Sequence, residues 1–357
     1  MELPSPEPYS SDGDSDDVSL IQPATTSSGP KNWFRLVLLV NSIKLEAQIW
    51  NLYLIRDFGE LLSFPLSQGV HFNVRALPNH GCVAKYPILN NIHNEEELGM
   101  SSGICNVVAL ELRVLSHEPI RHHPNIVNIV GIGWARAQST CVPVIYLEYA
   151  THGTLADYVR DKNVCPCTKN TLAKDIVDGL QTLHECGITH GDLKLENVLI
   201  FERCDGSVVA KLADFGCASV EAEEGTKLQG GTPPWNAPEW RENIEPSLMH
   251  KTDIYSLGLL IWRLTINGEN PFENDESQSI EKRKGADLMV EEAIQSVEQH
   301  YDKILLREVS MEKLRFDLYL NCVAIPRKIF QHSLHFSPLE RDLDPIAKAL
   351  SVEESYR

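Results

Sequence analysis

The apolar residues of this chain change period part-way along it. Short apolar runs over residues 66–76 and 81–86 read as strands, and a third over 143–150 ends at the small polar turn Thr151, His152 and Gly153. Beyond that turn the spacing lengthens. Leu172, Ile176, Leu180 and Leu183 mark one face of a helix that stops at Gly187, and Ile254, Leu257, Ile261 and Leu264 mark a face of another that stops near Gly268. Apolar residues also recur through the charged stretch 273–313, which reads as surface helices. Residues 33–55 satisfy two periods at once. Leu36, Leu39, Val40, Ile43, Ala47, Trp50 and Leu54 fit a helix, whereas Ile43, Leu45, Ala47 and Ile49 alternate as a strand does, and both readings stand. A strand-rich front followed by a helix-rich back predicts an α+β chain in two lobes.

Composition narrows the picture. With 357 residues and 43% hydrophobic content, the chain can bury a core larger than one small domain needs. Residues 1–30 are the exception, because Pro, Ser, Gly, Asp and Glu dominate them and predict a disordered acidic tail. A formal net charge of -18 argues against a nucleic-acid partner, whose phosphates call for Lys and Arg. Asn41, Lys44, Glu46 and Gln48 interrupt the early apolar stretch, which therefore predicts no membrane span. The acidic start, rich in Pro and Ser, does not read as a secretory leader, and the nine cysteines are scattered. A reducing, cytoplasmic location is expected, with the nucleus left open. Cys165 and Cys167 form a lone C-x-C that reads as an ordinary loop pair of free thiols.

Candidate chemistry starts at His190-Gly191-Asp192-Leu193-Lys194-Leu195-Glu196-Asn197, which runs into the strand-like Val198-Leu199-Ile200. On a rigid loop, an Asp and an Asn five residues apart can aim a carboxylate at one group and an amide oxygen at another; taken alone, such a pair caps turns. Downstream, the strand from Lys211 ends in Asp214-Phe215-Gly216, where Asp214 offers the hard oxygen that Mg²⁺ favours. Upstream stands Cys82-Val83-Ala84-Lys85, followed by Glu111-Leu112-Arg113-Val114-Leu115 and then His123-Pro124-Asn125-Ile126-Val127. A single lysine at a strand end, or a single helix glutamate, is ordinarily a solvated charge. Further on come Gly231-Thr232-Pro233-Pro234-Trp235-Asn236-Ala237-Pro238-Glu239 and Thr252-Asp253-Ile254-Tyr255-Ser256-Leu257-Gly258. In this order the set resembles the eukaryotic-type protein kinases of the serine/threonine type, over roughly residues 62–351. The wording around residues 111–117 and 230–235 is also similar to a divergent group of single-domain, fungal-type kinases.

The resemblance implies a bilobal protein kinase fold. A small β-rich N-lobe would cover 62–150 and a larger helical C-lobe 151–351, after the tail over 1–30 and an extension over 31–61. It implies ATP and Mg²⁺ as cofactors and proteins bearing serine or threonine as substrates. Asp192 takes the place of the catalytic base, Lys194 that of the γ-phosphate contact, and Lys85 that of the α- and β-phosphate contact held by Glu111. Asn197 and Asp214 take those of the magnesium ligands. Val74, Val83 and Leu199 stand where the family sandwiches adenine, and Glu148 and Ala150 where the linker between lobes meets it, after Leu147. Thr232 matches a threonine that contacts Asp192 and Lys194. Glu239 would pair with Arg341, Asp253 would brace the backbone around His190, and Phe215 would sit under the helix of Glu111.

Two departures change the expectation. The glycine-rich loop aligns with Ser67, Gly69 and Phe72, followed by Val74, so one glycine of three remains. Gly191 replaces the arginine with which most regulated kinases clasp a phosphorylated loop, which implies activity without that phosphorylation. The alternative to an enzyme is a pseudokinase acting as a nucleotide-binding or scaffolding module. A small-molecule phosphotransferase ranks behind both, having no use for the 231–239 segment.

Overall fold

The computed structural model describes residues 67–68, 72–77, 81–88, 102–137, 140–162, 164–220, 230–308 and 320–351. The acidic tail, the extension over 31–61 and Gly69 lie outside the described residues. Strands β1 (Ser67–Gln68), β2 (Phe72–Leu77), β3 (Cys82–Pro87), β4 (Ile129–Ala137) and β5 (Thr140–Glu148) form one antiparallel sheet in the order β1-β2-β3-β5-β4. Register decides which side chains share a face. Val74 lies opposite Lys85 and Val83 opposite Leu147, so Val74, Val83, Lys85 and Leu147 project from the same side. Helix α1 (Ser102–Ser116) buries Val108, Leu112 and Leu115 at helical spacing, and Glu111 falls within that same stripe. A short α2 (Glu118–Arg121) leads into β4.

After β5 the chain crosses to the helical part through Tyr149, whose N–H donates to the Gly81 carbonyl at 3.2 Å. Helix α3 (Leu155–Asp161) is N-capped by Thr154, whose Oγ1 accepts the Asp157 N–H at 3.1 Å. Helix α4 (Pro166–Glu185) starts with a proline in its first turn, where no intrahelical donor is needed. It buries Leu172, Ile176, Leu180 and Leu183, the face read from the sequence.

Two small sheets then hold the chemistry-bearing loops side by side. β6 (Ile188–Thr189) pairs with β9 (Ser219–Val220), and β7 (Val198–Glu202) pairs with β8 (Val208–Leu212). The loop over 190–197 runs from β6 to β7 and the loop over 213–218 from β8 to β9, so the same two pairings fix both.

Helix α5 (His250–Thr265) departs from its amphipathic reading: every residue from Thr252 to Thr265 is buried. It runs through the centre of the lobe, with α4, α7 (Met289–Glu308) and α8 (Ile325–Ser333) packed around it. Gly258 permits this, since a side-chain carbon there would collide with Ser333 Oγ and lie 2.7 Å from Leu334 Cδ2. Helix α6 (Ser277–Gly285) and α7 expose Glu281, Lys282, Glu291 and Asp302 while burying Ile280, Met289, Ala293 and Val297, as the recurrence over 273–313 predicts. Helix α9 (Leu343–Ser351) closes the described chain. A small sheet-rich lobe joined to a larger helical one is the bilobal α+β architecture expected from the sequence. Among the described residues, no helix is long and apolar enough to cross a membrane.

Candidate active site

Lys85 joins the two lobes. Its ammonium donates to both Glu111 carboxylate oxygens at 2.8 Å and to Asp214 Oδ1 at 2.8 Å. Burial works against its charge, but the Asp214 and Glu111 carboxylates outweigh that, and the net shift of Lys85 is upward. Glu111 is 0% exposed, so it is neutralised by the lysine rather than by water. Asp214 is held down to about 2, chiefly by the Lys85 charge against the opposing effect of burial. Its backbone lies in the left-handed region (φ 63°, ψ 76°) at the corner between β8 and the helical turn Phe215–Cys217. That corner turns Asp214 toward Lys85 and Phe215 into the core, where the turn packs on α1 as anticipated. The Asp214 side chain is 51% exposed, which leaves carboxylate surface open for a ligand.

Asp192 is gripped from three directions. Thr232 Oγ1 donates to Asp192 Oδ1 at 2.8 Å and Lys194 Nζ to Oδ2 at 2.7 Å. Lys194 Nζ also donates to Thr232 Oγ1 at 2.5 Å. Asn197 Nδ2 donates to the Asp192 backbone carbonyl at 2.8 Å and to its Oδ2 at 2.9 Å. With the nitrogen end committed, the Asn197 amide oxygen is the end that can meet a cation. The Asn197 backbone carbonyl accepts the Ala213 N–H at 2.9 Å, which sets Asn197 beside the residue preceding Asp214. Asp214 and Asn197 thus offer only hard oxygens, the donor chemistry that suits Mg²⁺.

Buried groups brace this loop from behind. Asp253 accepts the His190 N–H at 2.7 Å, the Gly191 N–H at 2.9 Å and a bond with His184 Nε2 at 3.0 Å. Burial pushes the Asp253 carboxyl up, yet the His184 contacts and these amides hold it below its usual value. His190 Nδ1 accepts the Asp192 N–H at 3.3 Å while its Nε2 faces the Ala213 carbonyl at 3.1 Å, which calls for the proton on Nε2. Arg341, 0% exposed, spans the Glu239 carboxylate at 2.5 and 3.0 Å and donates to the His335, Phe336 and Lys251 carbonyls. Both scaffold pairings inferred from the sequence, Asp253 with the His190 backbone and Glu239 with Arg341, are therefore present.

The adenine-facing set divides. Val74 and Val83 share the Lys85 face of the sheet beside Leu147. Leu199 is half-buried on β7, bridged to Thr154 just after the linker. The Glu148 side chain is committed elsewhere: it accepts Lys211 Nζ at 2.7 and 2.9 Å and the Asn128 N–H at 2.8 Å, leaving only backbone for a ligand. Ala150 is half-buried, and its carbonyl accepts the Gly153 N–H at 3.3 Å.

Several side chains around the site escape sequence reasoning. Phe72, aligned with a missing glycine, lays its ring 5.1 Å from Lys85 Nζ. Cys217 fills the space beside Gly191 and Gly230; a side-chain carbon on Gly191 would collide with the Cys217 carbonyl oxygen. Two glycines around one loop were the available signal. Arg263 pairs with Glu196 at 3.0 and 3.1 Å and stacks 4.5 Å over Trp235, tying the 190–197 loop to the 231–239 segment. Lys284 donates at 2.7 Å to each of the Pro234 and Asn236 carbonyls, and burial lowers it to about 8. Nothing in its charged neighbourhood marked it.

Comparison with known proteins follows the same lines. The protein kinase domain family matches residues 89–323, about two thirds of the chain. That match begins four residues after Lys85, so Lys85 joins the site by geometry rather than by the match. Mitogen-activated protein kinase kinase kinase 13-A of Xenopus laevis is 35% identical over 160 residues, 44% of this chain and 16% of that protein. Mitogen-activated protein kinase kinase kinase 13 of Mus musculus is 32% identical over 181 residues, 49% of this chain and 18% of that protein. Serine/threonine-protein kinase shk1/pak1 of Schizosaccharomyces pombe is 33% identical over 156 residues, 43% of this chain and 22% of that protein. The likeness therefore spans less than a quarter of each relative's length. With the ordered motifs, the two-lobed architecture and the matched segment in agreement, the chain belongs to the protein kinase domain family.

Proposed function

We propose that this protein transfers the γ-phosphoryl group of ATP to serine or threonine hydroxyls of protein substrates. The observation that carries the reading is the pairing of Lys85 with both Glu111 and Asp214, since it draws charges from the sheet, α1 and the 213–218 loop to one point, and the Ala213 N–H to Asn197 carbonyl bond ties that loop to the one bearing Asp192. Asp192, held by Thr232, Lys194 and Asn197, can accept a substrate hydroxyl's hydrogen bond and take its proton as that oxygen attacks the γ-phosphorus. The bond from this phosphorus to the β–γ bridging oxygen breaks, and ADP leaves with the electron pair. Lys194 is the cation nearest the acceptor side, and Lys85 serves the α- and β-phosphates. Asp214 and Asn197 would hold Mg²⁺, which supplies charge neutralisation on the phosphates when bound. The serine/threonine assignment rests on Lys194 and Thr232 together with the relatives' names.

Radiolabelled ATP with a generic basic substrate tests this directly. The native chain labels serine and threonine, and Asp192→Asn slows labelling at least ~100-fold while circular dichroism shows the chain still folded. An intact chain that transfers no label at saturating Mg-ATP refutes the enzymatic reading. The Phe72 ring over Lys85 favours a second reading, a nucleotide-binding or scaffolding module. Thermal stabilisation by Mg-ATP without any label transfer would select it.

A further inference from the structure

The C-x-C thiols, ordinary by sequence, are not ordinary in space. Cys165 and Cys167 are both free and exposed, and their Sγ atoms lie 3.1 Å apart. That separation is only about one ångström longer than a disulfide bond of ~2.05 Å. Cys165 is the N-cap of the 20-residue α4: its sulfur accepts the Thr168 N–H at 3.4 Å and meets Thr168 Oγ1 at 3.0 Å. A sulfur at a helix N-terminus gains from the unsatisfied N–H groups and the dipole there, which favour its thiolate. Burial pushes the Cys165 thiol up, but its hydrogen bonds with Thr168 and Cys167 prevail and the net shift is downward. Cys167 moves the other way, raised by burial and by its neighbour. Pro166 between them has a fixed φ, which restrains the chain that would otherwise separate the two sulfurs.

We propose that Cys165 and Cys167 form a peroxide-oxidisable dithiol that closes to an intramolecular disulfide at the start of α4. The Cys165 thiolate attacks one oxygen of hydrogen peroxide; an S–O bond forms, the O–O bond breaks, and hydroxide leaves to become water. The Cys167 thiol then gives up its proton and attacks the Cys165 sulfur; the S–S bond forms, the S–O bond breaks, and a second water is released. The two sulfurs together lose two electrons, which the peroxide gains. Closure withdraws the sulfur that caps α4, the helix that leads through β6 into the catalytic loop.

The test treats the full chain with hydrogen peroxide, blocks remaining thiols with N-ethylmaleimide and maps the peptides by mass. The peptide spanning 165–167 emerges unalkylated and lighter by about 2 Da, and dithiothreitol restores its alkylation. Cys204, exposed in the β7–β8 hairpin, stays alkylated as the comparator. In Cys167→Ser the reaction stops at a Cys165 sulfenic acid that dimedone traps. In Cys165→Ser, where serine keeps a good helix cap, peroxide reactivity at Cys167 falls at least ~10-fold. Full alkylation of both thiols after peroxide, oxidation of Cys165 no faster than Cys204, or an unchanged product in Cys167→Ser would each overturn the proposal.

Discussion

Replacing Lys85 by Met keeps most of the side-chain stem and removes its charge. Glu111 receives the Lys85 ammonium at 2.8 Å on both oxygens and is 0% exposed, so the change strands a carboxylate in the core. Leaving one member of a buried pair alone costs about 3–5 kcal/mol. Asp214 loses the same partner, but its half-exposed side chain can turn to water and adds little. The sign with pH follows from Glu111. Burial already raises its carboxyl and Lys85 pulls it back, so without Lys85 its folded value climbs further above the unfolded one. The folded state then holds a proton that the unfolded state has released. Stability from this group is full below the unfolded value and drains at about 1.4 kcal/mol per pH unit as pH rises toward the folded value. Urea unfolding followed by circular dichroism should give a deficit of about 3–5 kcal/mol against the native chain at pH 7.5. The deficit should be smaller at pH 5.5 than at pH 7.5. Adding Glu111→Leu removes the stranded group, so the double variant recovers most of the loss and its residual deficit no longer varies with pH, while kinase activity stays absent. A deficit equal at the two pH values, or a double variant no more stable than the single, would refute the reasoning.

Gly191→Arg places a side chain at φ 80° and against the Cys217 carbonyl oxygen, and should lower stability by about 2–3 kcal/mol; an unchanged unfolding midpoint contradicts the packing described. Arg341→Met strands Glu239 beneath the 231–239 segment and should cost about 3–5 kcal/mol in urea unfolding, with Glu239→Gln costing less; equal losses would count against a pair dominated by charge. Phosphatase treatment of the purified protein should leave substrate labelling within about twofold, because Gly191 offers no cation to clasp a phosphorylated loop; abolished activity would reverse that inference.

The legible parts of this site are the ones that depend on residue type and order. Asp192, Lys194 and Asn197 sit on one short loop, and their contacts with one another span no more than five residues. Thr232, Glu239 with Arg341, and Asp253 could be read because whole motifs, rather than single residues, carried them. Phe72 could not be read in the same way: alignment marks it as a missing glycine, while only strand register places its ring over Lys85. The all-round burial of α5 was equally hidden, since a periodic face tells where one neighbour packs and is silent about the others. Cys165 and Cys167 looked ordinary because spacing along a chain does not specify the distance between two sulfurs.

Sequence alone determined the periods of the helices and strands, the residue types at each motif and the order of those motifs, because backbone geometry and local capping act over a few residues. Tertiary structure decided which charges meet. Lys85 and Asp214 are 129 positions apart, and their contact exists only because sheet register, the buried stripe of α1 and the strained corner at Asp214 converge. Cooperative packing of distant segments sets such distances, and a linear pattern does not encode them one residue at a time.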